Sequence, residues 1–193
     1  MTELFAGMPA EVPLRLHDRL VADAEREGLL DVAYRTVDTP VGPLLLAATP
    51  VGLVRVAYGP AADALSSLAE KVSPRILHAP ARLDAVARQL DEYFAGERRS
   101  FDVPLDLRLA SGFRRAVLDH LPDIAYGRTA SYAEVAAAAG SPRAVRAVGT
   151  ACARNPVPVV VPCHRVVLSD GSMGRYAGGA EAKRTLLTLE AAA

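Results

Sequence analysis

Val159-Val160-Val161-Pro162-Cys163-His164-Arg165-Val166 is the stretch around which the rest of the chain is organised. Three β-branched residues in a row read as a short buried strand. Pro162 ends it, because proline has no N–H to give to a ladder. A strand end of this kind holds Cys163 at a fixed point on the rim of a core. A thiol reacts as thiolate, and a neighbouring imidazole such as His164, or a positive field, lowers its pKa. An inert buried cysteine fits the same pattern. Adjacency alone does not pair the two side chains, since successive strand residues face opposite ways.

Upstream, Asn155-Pro156 and Pro158 forbid a helix from continuing into this stretch. Before them, Ser131 with Glu134 forms a capping box that opens a helix running through Ala139, and Gly140 closes it. Ser141 as N-cap and Pro142 at the first helical position open another helix, to about Arg154. The two make a helix-turn-helix. The second is lined with Ala144, Ala147, Gly149, Thr150 and Ala151 around Arg146. Small side chains let a backbone approach a partner closely, and they serve tight core packing equally well. A short helix over 113–121 precedes the pair. Downstream, extended residues 166–169 and 172–176 flank Asp170-Gly171, a hairpin turn signal. Gly178-Gly179 and a last helix over 180–190 follow. A helix-turn-helix followed by a small hairpin is a winged-helix outline.

Further out, the N-terminal part is punctuated as a β-meander. Strands over 34–37, 44–48 and 53–58 are separated by Pro40-Val41-Gly42-Pro43 and by a turn at 49–52. Helices over 61–71 and 81–95 follow. In the second, Leu83, Val86, Leu90 and Phe94 recur at three- and four-residue spacing. Residues 96–100 are a polar loop, and 101–107 an extended connection. The expected organisation is an extension over 1–33, an α/β domain over 34–105, and a winged-helix domain over 106–193. Within the extension Leu14, Leu20, Val21 and Ala24 share a helical face, with Arg19, Asp23, Glu25 and Arg26 outside, and Gly28 ends the helix.

The chain of 193 residues is 51% hydrophobic, enough for a substantial core, and its formal net charge of zero gives no global attraction to nucleic acid. The charge is unevenly distributed. The first 100 residues carry 11 Lys/Arg and 14 Asp/Glu, and the remainder 11 and 8. Five arginines and one acid, Asp170, lie between Arg143 and Arg175, as in a protein that meets phosphates with one face. Two cysteines, Cys152 and Cys163, exclude a disulfide scaffold, and no Cys/His cluster has zinc-ligand spacing. No signal peptide and no apolar run long enough to cross a membrane is legible, so a reducing cytoplasm is the expected location.

The segment SYAEVAAAAGSPRAVRAVGTACARNPVPVVVPCHRVV, followed by DGSMGRYAGG and AKRTLLTLE, resembles the O6-alkylguanine-DNA alkyltransferases, the methylated-DNA–protein-cysteine S-methyltransferases. YRTVDTPVGPLLLAATPVGLVRV resembles their N-terminal β-domain. The resemblance implies an α+β fold: a small RNase H-like meander and helix domain, then a winged-helix domain. It implies one-shot transfer of an alkyl group from O6-alkylguanine, or O4-alkylthymine, in double-stranded DNA to Cys163 after base flipping. His164 would take the thiol proton through a water, Glu190 would orient and charge that imidazole, and Asn155 would hold the active-site turn. Tyr132 would press the phosphate of the flipped nucleotide and help protonate the leaving guanine. Arg146 would fill the gap left by the base. Tyr176, Ala177 and Val166 would line the pocket, while Ala144, Ala147, Gly149 and Arg165 would lie against substrate or DNA. Lys183 would reach the Tyr132 hydroxyl, or is a solvated helix lysine. No cofactor and no metal are implied, and a monomer is expected without DNA. The chain departs from the family pattern at Leu118, where Trp is usual, at Arg114 and Arg175, and at Ala125-Tyr126-Gly127.

Three other readings share some of these features. A lesion-binding relative without transfer would lack the nucleophile, which Cys163 supplies. A winged-helix regulator would carry several base-reading side chains on its second helix, where this one offers mainly Arg146. A cysteine hydrolase would need turnover and an oxyanion hole.

Overall fold

A computed structural model describes residues 11–191, with side chains from Leu14 to Ala191. Strands β1 (Val32–Val37), β2 (Leu44–Ala48) and β3 (Leu53–Ala57) form the antiparallel meander that the turn residues require. Helix α2 (Ala61–Lys71) carries the chain across to β4 (Ile76–His78), which lies parallel to β1 and gives the order β3-β2-β1-β4. This fourth strand has no sequence signal. Its three residues are too few to show a period.

Strand β2 is central and buried on both faces, which explains its unbroken run Leu-Leu-Leu-Ala-Ala. Leu44, Leu46 and Ala48 face one cluster, while Leu45 and Ala47 face the other, under α2. The first cluster continues through helix α3 (Asp84–Phe94) into the C-terminal part, taking in Val117, Leu118, Val148, Cys163 and Leu186. Leu118, in the position where a tryptophan is usual, is fully buried there. The sheet and the C-terminal helices therefore share one core.

The C-terminal part consists of α4 (Gly112–His120), β5 (Ala130–Ser131), α5 (Tyr132–Ala138), α6 (Val145–Ala153), β6 (Val166–Val167) and α7 (Gly179–Ala191). The capping box of α5 is complete. The Glu134 N–H donates to Ser131 Oγ at 3.2 Å, and the Ser131 N–H donates to Glu134 Oε2 at 2.6 Å. Gly140 ends this helix at φ 75°.

Four expectations are corrected. Residues 159–161 are buried but form no strand. Pro156 and Pro158 lack N–H groups, and Asn155 bonds the loop internally instead. The Ser141-Pro142 start gives only a single turn, closed by the Ala144 N–H on the Ser141 carbonyl at 2.8 Å, and the helix begins at Val145. The Asp170-Gly171 turn forms, with Leu168 N–H donating to Ser172 O at 2.9 Å, but no hairpin ladder extends from it, and β6 pairs in parallel with β5. Of the apolar face expected along α1 (Glu11–Arg26), Val21 and Ala24 pack against Leu30, Ala33, Leu77 and Ala79, while Leu14 and Leu20 stay exposed.

Candidate active site

The turn that presents Cys163 is built around one amide. Asn155 Oδ1 accepts from the Val157 N–H at 3.0 Å, and Asn155 Nδ2 donates to the Val161 carbonyl at 2.8 Å and to Cys163 Sγ at 3.1 Å. Pro162 (φ −83°, ψ 60°) then makes an inverse γ-turn, with the Cys163 N–H donating to the Val161 carbonyl at 2.8 Å. Inside the loop Val159 sits at φ 73°, a conformation a β-branched residue adopts only under strain. The nucleophile candidate is thus held by a fixed turn, not by a strand end.

Cys163 is 2% exposed. Burial pushes its thiol up to about 11, and the hydrogen bond from Asn155 and the charge of Lys183 draw it back only in part. The expected lowering by His164 is absent, so at neutral pH the resting group is a thiol. His164 is fully buried and held below its ordinary value by that burial, despite the neighbouring carboxylate. It is therefore a neutral imidazole, able to accept a proton.

Glu190 fixes which nitrogen accepts. Burial alone would raise its carboxyl, but hydrogen bonds from His164 and Arg165 outweigh it and hold the group at about 2. An ionised carboxylate only accepts, so His164 Nε2, 2.8 Å from Glu190 Oε1, carries the proton. Nδ1 keeps the lone pair, and it is buried with no protein partner among the described residues. The same carboxylate accepts from the Tyr93 hydroxyl at 2.7 Å, from Arg165 Nε at 2.9 Å and from the Gly127 N–H at 3.2 Å. A Cβ at Gly127 would come within 3.0 Å of the Glu190 carbonyl, so the Tyr126-Gly127 turn needs its glycine.

Arg165 does not face DNA. It is buried, ion-paired with Glu190 and bonded to the Ile124 carbonyl at 2.7 Å. Lys183 is not solvated; it is fully buried and donates to the Val166 carbonyl at 2.6 Å instead of to Tyr132. Val166 is buried next to this contact. Gly149 is half-buried beside Tyr132, where a Cβ would meet the ring at 3.9 Å, an ordinary van der Waals distance. Gly174 (φ 58°) leaves room for the same tyrosine, for a Cβ there would lie 2.8 Å from the Tyr132 hydroxyl. Ala144 is half-buried at the N-cap of α6. Arg146, Ala147 and Thr150 lie on the exposed side of α6, with Arg143 exposed just before it and Arg154 exposed at its C-cap. Ala177 is exposed beside Tyr176.

Two contributors, Tyr58 and Tyr93, carry no sequence signal of their own, and Gly178 of the Gly178-Gly179 pair makes room for the first of them. The Tyr58 hydroxyl, at the end of β3, lies 3.2 Å from that of Tyr176, with the rings edge-on at 5.8 Å. Gly178 leaves room for the Tyr58 ring, which a Cβ would meet at 2.6 Å. Tyr93 reads as an ordinary core residue of α3, and only the fold brings Glu190 beside it. Among the described residues no group of three or more His, Cys, Asp or Glu side chains is arranged to hold a metal ion. No described helix is long and apolar enough to cross a membrane.

Comparison with known proteins agrees with this geometry along nearly the whole described chain. Residues 32–107 match the ribonuclease-like domain of 6-O-methylguanine DNA methyltransferase, and residues 112–192 match its DNA-binding domain. A methylated-DNA–protein-cysteine methyltransferase of Mycobacterium tuberculosis is 41% identical over 162 residues, covering 82% of this chain and 92% of that protein. The chain belongs to the 6-O-methylguanine DNA methyltransferase family. A constitutive relative from Bacillus subtilis is 38% identical, covering 81% of this chain and 94% of its own length. The crystal structure of the M. tuberculosis O6-methylguanine methyltransferase superposes with a TM-score of 0.72 at 40% identity, covering 83% and 93% of the two chains. A second structure, of the same protein in complex with DNA, matches with the same TM-score of 0.72. Membership puts the nucleophile–imidazole–carboxylate arrangement in a family of DNA-binding methyltransferases.

Proposed function

We propose that this protein repairs DNA by direct reversal, moving an alkyl group from O6-alkylguanine to Cys163 once per molecule. The observation that carries the reading is the chain Asn155–Cys163 and His164–Glu190. It pairs a protonated, buried thiol with a neutral imidazole whose free lone pair is aimed away from its carboxylate. The lesion base leaves the stack, because its O6 is out of reach inside a duplex. Arg146, exposed on α6, takes the place of the base.

The thiol proton passes through a water to His164 Nδ1, and Glu190 stabilises the imidazolium that forms. The sulfur attacks the alkyl carbon. The S–C bond forms as the C–O6 bond breaks, and the electron pair leaves on the guanine. Tyr132 protonates the guanine as its O6 is released and recovers its proton from the imidazolium, so the thiol proton ends on the restored guanine, which stays in the DNA strand. Lys183 holds the Val166 carbonyl and puts a positive charge near the sulfur as it becomes anionic. A thioether has no leaving group that water can displace, so the protein is consumed. It works as a monomer in a reducing cytoplasm, where the thiol stays usable.

The test is intact-mass measurement after incubation with a duplex carrying O6-methylguanine. The expected result is one added methyl group, located on the peptide containing Cys163 and absent from Cys163→Ala. Sustained turnover with substoichiometric protein would overturn the reading.

A further inference from the structure

Between the sheet and the C-terminal helices lies a cleft of about 450 Å³ that adjoins the site above through Asn155, Tyr58 and Ala177 but whose cations the chemistry above does not use. Arg55 reaches it from the middle of β3, Lys71 from the last turn of α2, Arg114 from the first turn of α4 and Arg154 from the end of α6. No acidic residue lines it. Nε of Arg55 and Nε of Arg114 are both buried without a hydrogen-bond partner. Arg114 donates elsewhere to the Leu109 carbonyl, and Lys71 to the Ser67 hydroxyl at 3.1 Å. Among the described residues none of the four cations is ion-paired. Elsewhere in the molecule, part-buried arginines have acids: Arg35 pairs with Asp84, and Arg98 with Glu92.

Four unpaired cations converging on one concavity repel one another and leave buried donors unmet, a cost that an anion relieves. A guanidinium offers a fork matched to phosphate oxygens. The cleft also continues the exposed side of α6, because Arg154, at the C-cap of that helix, lines it. At 1.5 Å per residue, Arg154 lies about 12 Å along the helix from Arg146. With about 3.4 Å of rise per nucleotide, that spans roughly three to four nucleotides.

We propose that this cleft is a phosphate site which seats the DNA backbone about three to four nucleotides from the flipped base, with Arg55 and Arg114 gripping the phosphate and Lys71 and Arg154 at its mouth. The inference rests on the repair reading for the presence of DNA, and it assigns the sheet domain a direct part in holding it.

The experiment measures duplex binding against salt for wild type, Arg55→Ala, Arg114→Ala and the double variant. Each lost phosphate contact should lower the slope of log K against log salt by about 0.9, so the double variant should lose up to about 2. Lys71 is exposed, so Lys71→Ala leaves the fold intact; it should lower the slope by up to about 1 and serves if the arginine variants do not fold. A duplex trimmed to two nucleotides on the cleft side of the lesion should erase the difference between wild type and variants. Unchanged slopes overturn the proposal. So does an equal loss on long and trimmed duplexes, which would mean diffuse charge and no local site. Competition by inorganic phosphate or ATP that disappears in the double variant while the DNA slope stays intact would assign the cleft to a small anion and overturn the DNA assignment. Transfer from free O6-benzylguanine by wild-type protein tests the parent reading separately, since it needs no phosphate contact.

Discussion

Replacing Glu190 by glutamine removes one charge and disturbs every contact that the carboxylate makes. The group is 2% exposed and accepts from His164, Arg165, Tyr93 and the Gly127 N–H. Its folded value of about 2 lies below the ordinary 4.5 because donors surround it. A depressed carboxylate contributes stability that is fully present above the unfolded value and is lost as pH falls through the folded one. The difference converts to about 3 kcal/mol at neutral pH. Leaving Arg165 buried without a counter-charge points to a similar or larger loss, about 3–5 kcal/mol. Urea unfolding at pH 7 should therefore show Glu190→Gln destabilised by about 3 kcal/mol or more. The gap should narrow from about pH 4.5 towards pH 2, because the wild-type carboxyl becomes protonated and resembles the amide. A gap below about 1 kcal/mol at pH 7, the scale of an exposed pair, would refute the reasoning. A gap of constant size down to about pH 3 would do so as well.

Other expectations follow from the same geometry. His164→Ala should slow single-turnover transfer by about 100-fold or more with DNA affinity retained, and an undiminished rate would remove the imidazole from the mechanism. Because His164 is held neutral below its ordinary value and Cys163 is a thiol up to about 11, the wild-type rate should be flat from neutral pH to about pH 9 and fall only in acid. A rate that instead climbs about tenfold per pH unit would mean pre-ionisation of the thiol without the histidine. Arg146→Ala should slow transfer from saturating duplex far more than transfer from free O6-benzylguanine, and parity with wild type on both would make it a surface arginine. Val159→Ala should destabilise more than Val159→Gly, because alanine keeps the strain of φ 73° while glycine relieves it; the ordinary ranking of the two would mean that the strain is not there.

Much of the framework was legible because local rules and tertiary packing agree. The meander is marked by its turn residues, α3 by its apolar spacing, and the α5 start by Ser131 and Glu134 acting on each other within a single turn. The reading failed where a local preference is overruled by side chains outside the segment that shows it. Val159-Val160-Val161 has strand propensity, yet Asn155 and two prolines bend it into a turn. Ser141-Pro142 has the chemistry of a helix start, but the helix begins only at Val145. Arg165 looks like one more member of a basic stripe until Glu190, 25 residues on, claims it. Lys183 looks like a solvated helix lysine, but the fold buries it and brings the Val166 carbonyl within hydrogen-bond reach of its ammonium. These misreadings gather around Cys163, as expected of a site whose local preferences are overruled by its surroundings.

The pKa relations explain why a buried thiol is an advantage here. An exposed thiolate would react with any electrophile in the cell, and each such event would consume a protein that acts only once. Burial keeps Cys163 protonated, and the tautomer imposed by Glu190 leaves a base ready at Nδ1 without ionising the sulfur beforehand. Proton transfer then becomes favourable only when a substrate carbon stands before the sulfur. Selectivity in this arrangement comes from access and geometry, through Tyr132 against Gly149 and Gly174, and Tyr176 held by Tyr58 from the sheet domain. The sheet domain therefore shapes the site directly: its Tyr58 hydroxyl sets where Tyr176 stands, and Gly178 is the residue that lets it come so close.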